Sequence, residues 1–292
     1  MSLSYTDQID KKVYNVRYHN WVTFILARLY CCRHDRYYSH LLYTYLRGVD
    51  DYIDTTERSP AEKKRFLTQQ RKIITDLYAG KAPAGNSVIV QIVHFDRAHD
   101  NMLRPFIMRM MDIFTFDSER QHKNVTEQEL LDYSLALGSA YTQLLIRFIE
   151  PRYHVVQENV QLAHACHLSH MLRDLEEDLK LGYINIAKKD LEIYHVDPNI
   201  QDDNFRKWLR DRIVLIREKF KKGIIYLDTI PILRIKIIAR LYCFRYEAVL
   251  QQIEDADYRL LGAYDLRMRD IVKLVTILIS TVFQHTWSSL AL

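Results

Sequence analysis

Glycine and proline are scarce in this chain, 7 and 6 among 292 residues. Folds built mainly of strands need such residues at their many turns, so an all-β architecture is excluded. No Gly-x-Gly occurs, which removes the dinucleotide-binding fingerprint. Gly80 and Gly85 have phosphate-loop spacing, but Asn86 stands where that loop needs Lys. A phosphate ligand would therefore have to be held by metals and cationic side chains. The four cysteines, Cys31, Cys32, Cys166 and Cys243, contain no Cys-x-x-Cys pair. They read as buried, reduced thiols. No apolar run reaches the roughly 18 residues of a spanning helix, since 271–283 is short and broken by Lys273. The first residues lack the basic and apolar regions of a signal peptide. The expectation is a soluble, cytoplasmic protein with at most a peripheral contact with a membrane. A strong charge imbalance is also missing: 41 Lys and Arg against 37 Asp and Glu leave a net charge of +4. That argues against a nucleic-acid partner, because phosphate-backbone binders concentrate positive charge far more.

What the chain has is helical periodicity and 48% hydrophobic residues, enough for a substantial core. Two helix starts are explicit. Ser59-Pro60-Ala61-Glu62 sets an N-cap, a proline at the first helical position and a capping-box Glu, and Thr126-Glu127-Gln128-Glu129 repeats the capping box. The pattern predicts helices at 10–31, 36–55, 60–79, 87–115, 126–149, 155–181, 203–222, 232–255 and 267–284. Breaks fall at 81–86, 116–125, 150–154 and 184–202. None is a long linker and no repeat is visible, so the simplest organisation is one all-α domain over residues 1–292.

Two acidic motifs stand out. The first is Arg47-Gly48-Val49-Asp50-Asp51-Tyr52-Ile53-Asp54. Asp50 and Asp54 are one turn apart on a shared helix face, with Asp51 about 100° round. Crowded carboxylates repel one another, and a hard divalent cation would relieve them. Mg²⁺ takes oxygen ligands shared between carboxylates and substrate phosphates. The second motif is Arg173-Asp174-Leu175-Glu176-Glu177-Asp178. Here Asp174, Glu177 and Asp178 lie at i, i+3 and i+4 on one stripe, while Glu176 points elsewhere. Read alone, each motif could be a solvated acidic helix turn. Together, on facing helices, they would enclose a cavity with six carboxylates.

The chain resembles the squalene/phytoene synthase family, the head-to-head prenyl synthases. The first family motif matches Tyr43-Thr44-Tyr45-Leu46-Arg47-Gly48-Val49-Asp50-Asp51-Tyr52-Ile53-Asp54. The second matches His170-Met171-Leu172-Arg173-Asp174-Leu175-Glu176-Glu177-Asp178, followed by Gly182-Tyr183-Ile184-Asn185-Ile186. The segment with Tyr133, Gly138 and Ser139 is similar to the family's central helix, and Tyr246 and Tyr258 fit its C-terminal one. The sequence departs from the family in three places. Trp21-Val22-Thr23 replaces a Ser-Lys/Arg-Ser run that holds diphosphate, so the hydroxyl of Thr23 remains and the cation is lost. His170 replaces an Asn beside the second motif, and Asn185 replaces a Tyr after it.

The resemblance implies an all-α helical bundle of the isoprenoid synthase type with a central cavity. It implies Mg²⁺ as cofactor and two prenyl diphosphates, farnesyl or geranylgeranyl, as substrates. Their condensation through a cyclopropyl diphosphate would give a squalene-, dehydrosqualene- or phytoene-type product. Asp50, Asp51, Asp54, Asp174, Glu177 and Asp178 are the implied metal ligands, with His170 beside them, although imidazole suits Mg²⁺ poorly. Arg47 and Arg173 would contact diphosphate, the alternative for each being an ion pair with a neighbouring Asp. Thr23, Phe24, Tyr43, Tyr133 and Tyr246 would line the substrate site, the aromatic faces stabilising a carbocation. Two rival readings remain at this point. One is a catalytically impaired relative acting as a scaffold or assembly protein. The other is a di-iron bundle using Glu119-Arg120-Gln121-His122 and Glu192-Ile193-Tyr194-His195, which have the Glu-x-x-His spacing.

Overall fold

Apolar residues recur one turn apart along helix α1 (Arg33–Asp54): Leu42, Leu46, Val49 and Ile53 are all buried. This is the stripe by which a helix packs on a core. The computed structural model describes residues 33–81, 87–150, 153 and 160–290. Every regular element among them is a helix. After α1 come α2 (Pro60–Tyr78), α3 (Val88–Arg97), α4 (Arg104–Arg120), α5 (Glu127–Ile149) and α6 (Gln161–Arg173). Then follow α7 (Leu175–Lys180), α8 (Lys188–Tyr194), α9 (Asp203–Thr229), α10 (Leu233–Asp255) and α11 (Met268–Leu290). The all-α class is as expected. Both capping boxes form. Ser59 Oγ accepts from the Glu62 N–H at 3.3 Å while Glu62 accepts from the Ser59 N–H at 2.9 Å. Thr126 and Glu129 exchange the equivalent bonds at 3.2 and 2.8 Å. The expected helix at 10–31 lies outside the described residues.

The structure corrects several boundaries. The single helix expected over 87–115 is two helices, α3 and α4. Its interior contains Pro105, which has no N–H to give and clashes with the preceding turn. The break is organised by Asp96, only 1% exposed. Its carboxylate accepts from the Leu103 N–H at 2.7 Å and the Tyr78 hydroxyl at 2.6 Å. Asp100 and Asn101 take the left-handed conformation that Asp and Asn tolerate best among residues with a Cβ. α4 continues to Arg120, beyond the expected stop at 115, and turns at His122, φ 60°. The expected loop 184–202 contains the short helix α8, whose N-cap Ala187 carries no side-chain acceptor to announce it. α9 runs on to Thr229, stopping just before Pro231. The expected helix ending at 181 is interrupted at Asp174 (φ −98°, ψ 4°) between α6 and α7. Its i→i+4 bonds persist across the break: Asp174 N–H to His170 O at 3.0 Å and Asp178 N–H to Asp174 O at 2.8 Å.

The described chain divides into two compact units. The first holds α1, α2, α3, α4 up to Glu119 and the end of α5. There α1 and α2 both pack on α3, around Leu42, Val49, Ile53, Ile74, Ile92 and Val93. The second unit begins at Arg120 and includes the first part of α5 and all of α6 to α11. Its centre is the packing of α9 and α10 against α6. That approach needs a glycine: a Cβ on Gly223 would lie 2.7 Å from the Leu162 backbone nitrogen.

Candidate functional site

In the first unit, the last turns of α1 present one face to the core and the acidic motif beside it. Arg47 is exposed, and it grips two of the carboxylates. Its Nη1 donates to Asp50 Oδ2 at 2.9 Å and its Nε lies 2.8 Å from Asp51 Oδ1. Burial opposes the charge on Arg47, but Asp50, Asp51, Tyr43 and Asp54 outweigh it and raise its pKa. Tyr43, one turn earlier, thus belongs to the same electrostatic group. The Asp50 carboxyl is pushed well above the usual carboxylate range. Burial is the largest cause and Asp54 the next, with Asp117 and Asp51 adding to it and Arg47 opposing. About a third of the Asp50 side chain still touches solvent, at 30% exposure, so the crowding is relieved by protons or cations rather than sealed away. Two participants were not legible in the sequence. Asp117 comes from α4. Lys63, 1% exposed at the start of α2, has its ammonium pKa lowered by burial against the opposing pull of Asp54.

In the second unit, α6 carries His170, Arg173 and Asp174 into one cluster. Arg173 donates from Nε to Asp174 Oδ1 at 2.5 Å and from Nη2 to Oδ2 at 2.7 Å. His170 Nε2 sits 2.8 Å from the same Oδ2. Burial would raise the Asp174 pKa, but the bonds from Arg173 and His170 prevail and hold it well below the carboxylate range. The ion pair that sequence left open for each arginine is therefore formed in both motifs. His170 directs its Nε2 at a carboxylate. Glu177 is exposed. Glu176, expected to point elsewhere, accepts from Gln201 Nε2 at 2.6 Å. Asp178 accepts from Asn185 Nδ2 at 2.6 Å, and Asn185 Oδ1 accepts from Arg120 Nη1 at 2.8 Å.

An aromatic ladder crosses α5, α6 and α10 within this unit. Tyr133 meets His167 edge-on at 5.2 Å, His167 meets His170 at 6.3 Å, His170 meets Tyr246 at 6.0 Å, and Tyr246 meets Tyr242 at 5.2 Å. Three residues singled out in the sequence, Tyr133, His170 and Tyr246, thus come together. His167 and Tyr242 complete the series. His167 gives Nδ1 to a 2.8 Å hydrogen bond with Ser134 Oγ. Burial, with His170, His164 and Arg120 adding to it, pushes its pKa well below the usual value and keeps it neutral. Tyr258 falls past the end of α10, with φ 57°.

Thr23 and Phe24 lie outside the described residues. So do Val22, Cys31 and Cys32. Cys166 and Cys243 are buried free thiols, Sγ to Sγ 3.5 Å. The Glu-x-x-His pairs do not present two ligands from one helix face. His122 follows α4 and His195 caps α8, both at positive φ. Among the described residues no group of three or more His, Cys, Asp and Glu side chains is gathered to hold a metal by itself. The oxygen donors of the first motif nevertheless fit Mg²⁺, which is commonly held by one or two carboxylates plus substrate phosphates rather than by an all-protein cage. Burial raises the proton affinity of Asp50 most, and the neighbouring carboxylates of Asp54, Asp117 and Asp51 add negative charge that such a cation would offset.

A helical architecture with these motifs defines a class. The fold is that of isoprenoid synthases. It matches squalene synthase HpnC from Alicyclobacillus acidocaldarius with TM-score 0.68 and 19% identity, over 88% of this chain and 95% of that one. It matches a dehydrosqualene synthase, solved in complex with a ligand, with TM-score 0.73 and 17% identity, over 96% and 99% of the two chains. A family model for squalene/phytoene synthase matches residues 20–271. The chain belongs to the squalene/phytoene synthase family. It is also 25% identical over 156 residues to presqualene diphosphate synthase of Zymomonas mobilis, a match that spans 52% of each chain, about half the length of that curated relative.

Proposed function

We propose that the chain is a Mg²⁺-dependent prenyltransferase that condenses two prenyl diphosphates, farnesyl or geranylgeranyl, head to head through a cyclopropyl diphosphate. The product is of the squalene, dehydrosqualene or phytoene type. One observation carries this reading: the family's two acidic motifs are both retained, each with an arginine already seated on its carboxylates. Residues 1–292 act as one synthase domain, in which apolar side chains take up the prenyl chains and charged groups take up the diphosphates. Burial of hydrocarbon drives that binding, at about 25 cal/mol per Å².

Mg²⁺, when bound, supplies positive charge to the departing diphosphate. Asp50, Asp51 and Asp54 in one motif, and Asp174, Glu177 and Asp178 in the other, would hold it. Arg47 and Arg173 exchange their carboxylate partners for diphosphate oxygens, since a guanidinium pairs with either in the same forked geometry. Tyr43 supports Arg47 from the preceding turn, and Thr23 contributes a hydroxyl near the diphosphate. Loss of diphosphate leaves an allylic cation, which Phe24, Tyr133 and Tyr246 stabilise through their ring faces. Neutral His167 belongs to the same wall, because a protonated imidazole there would repel that cation. Released diphosphate takes the final proton.

The substrates and product are hydrocarbon-rich, and α11 exposes Val272, Val275, Ile279, Phe283 and Trp287 along one side. That stripe suits a peripheral contact with a lipid surface, its terminal Phe283–Trp287 pair resting at the headgroup level. No helix among the described residues is long and apolar enough to cross a membrane.

A second reading, a scaffold relative without turnover, is favoured by the absent cation at Trp21-Val22-Thr23. Incubation with Mg²⁺ and each prenyl diphosphate, followed by analysis of the organic extract, separates the two. A 1–1′ linked hydrocarbon or its cyclopropyl diphosphate precursor supports the enzyme. Unchanged substrate with both chain lengths supports the scaffold.

A further inference from the structure

We infer that Arg120 and Asn185 are positioning residues for Asp178, a buried relay that fixes how the second motif presents that carboxylate; the inference rests on the proposed prenyltransferase reading. A guanidinium can only donate hydrogen bonds and a carboxylate can only accept them. Asn185 stands between the two and serves both. Its Oδ1 accepts from Arg120 Nη1 at 2.8 Å, and its Nδ2 donates to Asp178 Oδ2 at 2.6 Å. The partners at each end leave the amide only one orientation. Arg120 and Asn185 are 7% and 6% exposed, so little water competes for these bonds.

The cation at the far end of the relay is itself fixed. Arg120 lies over the Tyr133 ring at 4.8 Å and the Tyr183 ring at 5.0 Å, faces that attract a guanidinium. The two residues after it clip the same loop. Gln121 Nε2 donates to the Leu181 carbonyl at 2.6 Å, and the His122 N–H donates to the Gly182 carbonyl at 2.7 Å. The loop is tied in turn to the motif's backbone, Tyr183 N–H to Asp178 O at 2.7 Å. Asp178 sits in a helix of only 6 residues, which on its own would fray. Arg120, the last residue of α4, and the two residues after it thus hold the segment that orients Asp178.

The contrast with Asp174 shows what the amide changes. Arg173 takes both oxygens of Asp174 directly. At Asp178 the buried positive charge acts through an amide on one oxygen, Oδ2. The amide fixes the direction in which that oxygen is presented. Asn185 is also where this sequence departs from the family pattern, and the relay gives that departure a role. Groups that orient metal ligands in this manner typically change metal affinity by about 10–100-fold when removed.

The test is a double-mutant cycle on the full chain with Asn185→Leu, Arg120→Met and both together. Binding of Mg²⁺ in the presence of inorganic pyrophosphate is measured by calorimetry, and the Mg²⁺ dependence of pyrophosphate release is measured beside it. Asn185→Leu is expected to weaken Mg²⁺ binding about tenfold and to raise the Mg²⁺ needed for half-maximal rate by a similar factor. The rate at saturating Mg²⁺ should change much less. The double variant should bind no more weakly than the worse single one, because the two residues act in series. Arg120→Lys, which keeps the buried charge, guards against loss of folding in Arg120→Met and should fall between parent and Met variant. Parent-like Mg²⁺ binding in a folded Asn185→Leu variant, or fully additive losses, would overturn the relay while leaving the prenyltransferase reading in place. A parent chain that neither binds Mg²⁺ with pyrophosphate nor releases pyrophosphate overturns that reading, and the relay's role with it.

Discussion

Arg173 holds both carboxylate oxygens of its neighbour Asp174, at 2.5 and 2.7 Å, while the Asp50 carboxyl shares Arg47 with Asp51 and is crowded by Asp54 and Asp117. From sequence alone, removing a charge from either motif should leave stability unchanged or slightly raised. The structure separates them. Asp50→Asn mimics the neutral form that its surroundings favour, so its melting temperature should hold or rise. Asp174→Asn leaves a guanidinium only 23% exposed without its forked partner, and should lose about 1–3 kcal/mol. Thermal melts at pH 7 compare them directly; equal behaviour would contradict the distinction.

Acid stability should depend on His164, which is buried, and His167, which is half-buried. His164 is 2% exposed, and its Nδ1 has no hydrogen-bond partner among the described residues. Burial lowers its pKa to about 4, with Lys219 and Arg212 of α9 adding to the effect. His167 is pushed down as well, again by burial first. An unfolded histidine titrates near pH ~6.5. Below that pH the unfolded chain takes up protons that the folded chain refuses. Stability is therefore present above about pH 6.5 and is lost as pH falls towards 4, by up to about 3 kcal/mol for His164. His164→Leu should flatten the fall in melting temperature between these values, and an unchanged slope would contradict the assignment.

Packing of α9 on α6 sets a third expectation. Gly223→Ala places a methyl group 2.7–2.8 Å from the backbone N and Cα of Leu162, atoms that cannot rotate away. The helices must separate, at a cost of about 1–3 kcal/mol. At Gly138, where the nearest backbone atom is 3.1 Å away, alanine should cost less. Denaturant unfolding of both variants tests this order.

The exposed stripe on α11 should govern association with lipid. Ile279 and Phe283 are 65% and 66% exposed, so Ile279→Glu with Phe283→Glu leaves the core untouched. The pair should lower sedimentation with lipid vesicles and leave the melt unchanged. Equal sedimentation of parent and variant would remove this helix from any membrane contact.

Much of the fold was legible because capping chemistry is local. Ser59 with Glu62 and Thr126 with Glu129 mark helix starts within four residues of chain. Pro105 carried a local signal too, and the single helix expected over 87–115 ran through it. The acidic motifs were legible for the same reason: helical spacing alone puts Asp50 and Asp54 on one face. Their electrostatic surroundings were not. Asp117, Lys63 and Arg120 reach the two motifs or the aromatic ladder from other helices, and His167 meets Tyr133 of α5 only through helix packing. Their neighbours are set by tertiary packing, which leaves no trace in the residues beside them. His170 looked like a ligand from its position one turn before Asp174. The same spacing puts its Nε2 on the Asp174 carboxylate.

The measurement closest to the central claim is pyrophosphate release from farnesyl and geranylgeranyl diphosphates, with and without Mg²⁺, by the parent, Asp50→Asn and Asp174→Asn. Placed metal charge is needed for diphosphate to leave. The parent should release pyrophosphate only with Mg²⁺, and each variant, still folded, should be slower by at least about 100-fold, or roughly 3 kcal/mol in the barrier. Parent-like release by both variants would contradict the assignment of these carboxylates, and no release by the parent would contradict the enzyme itself.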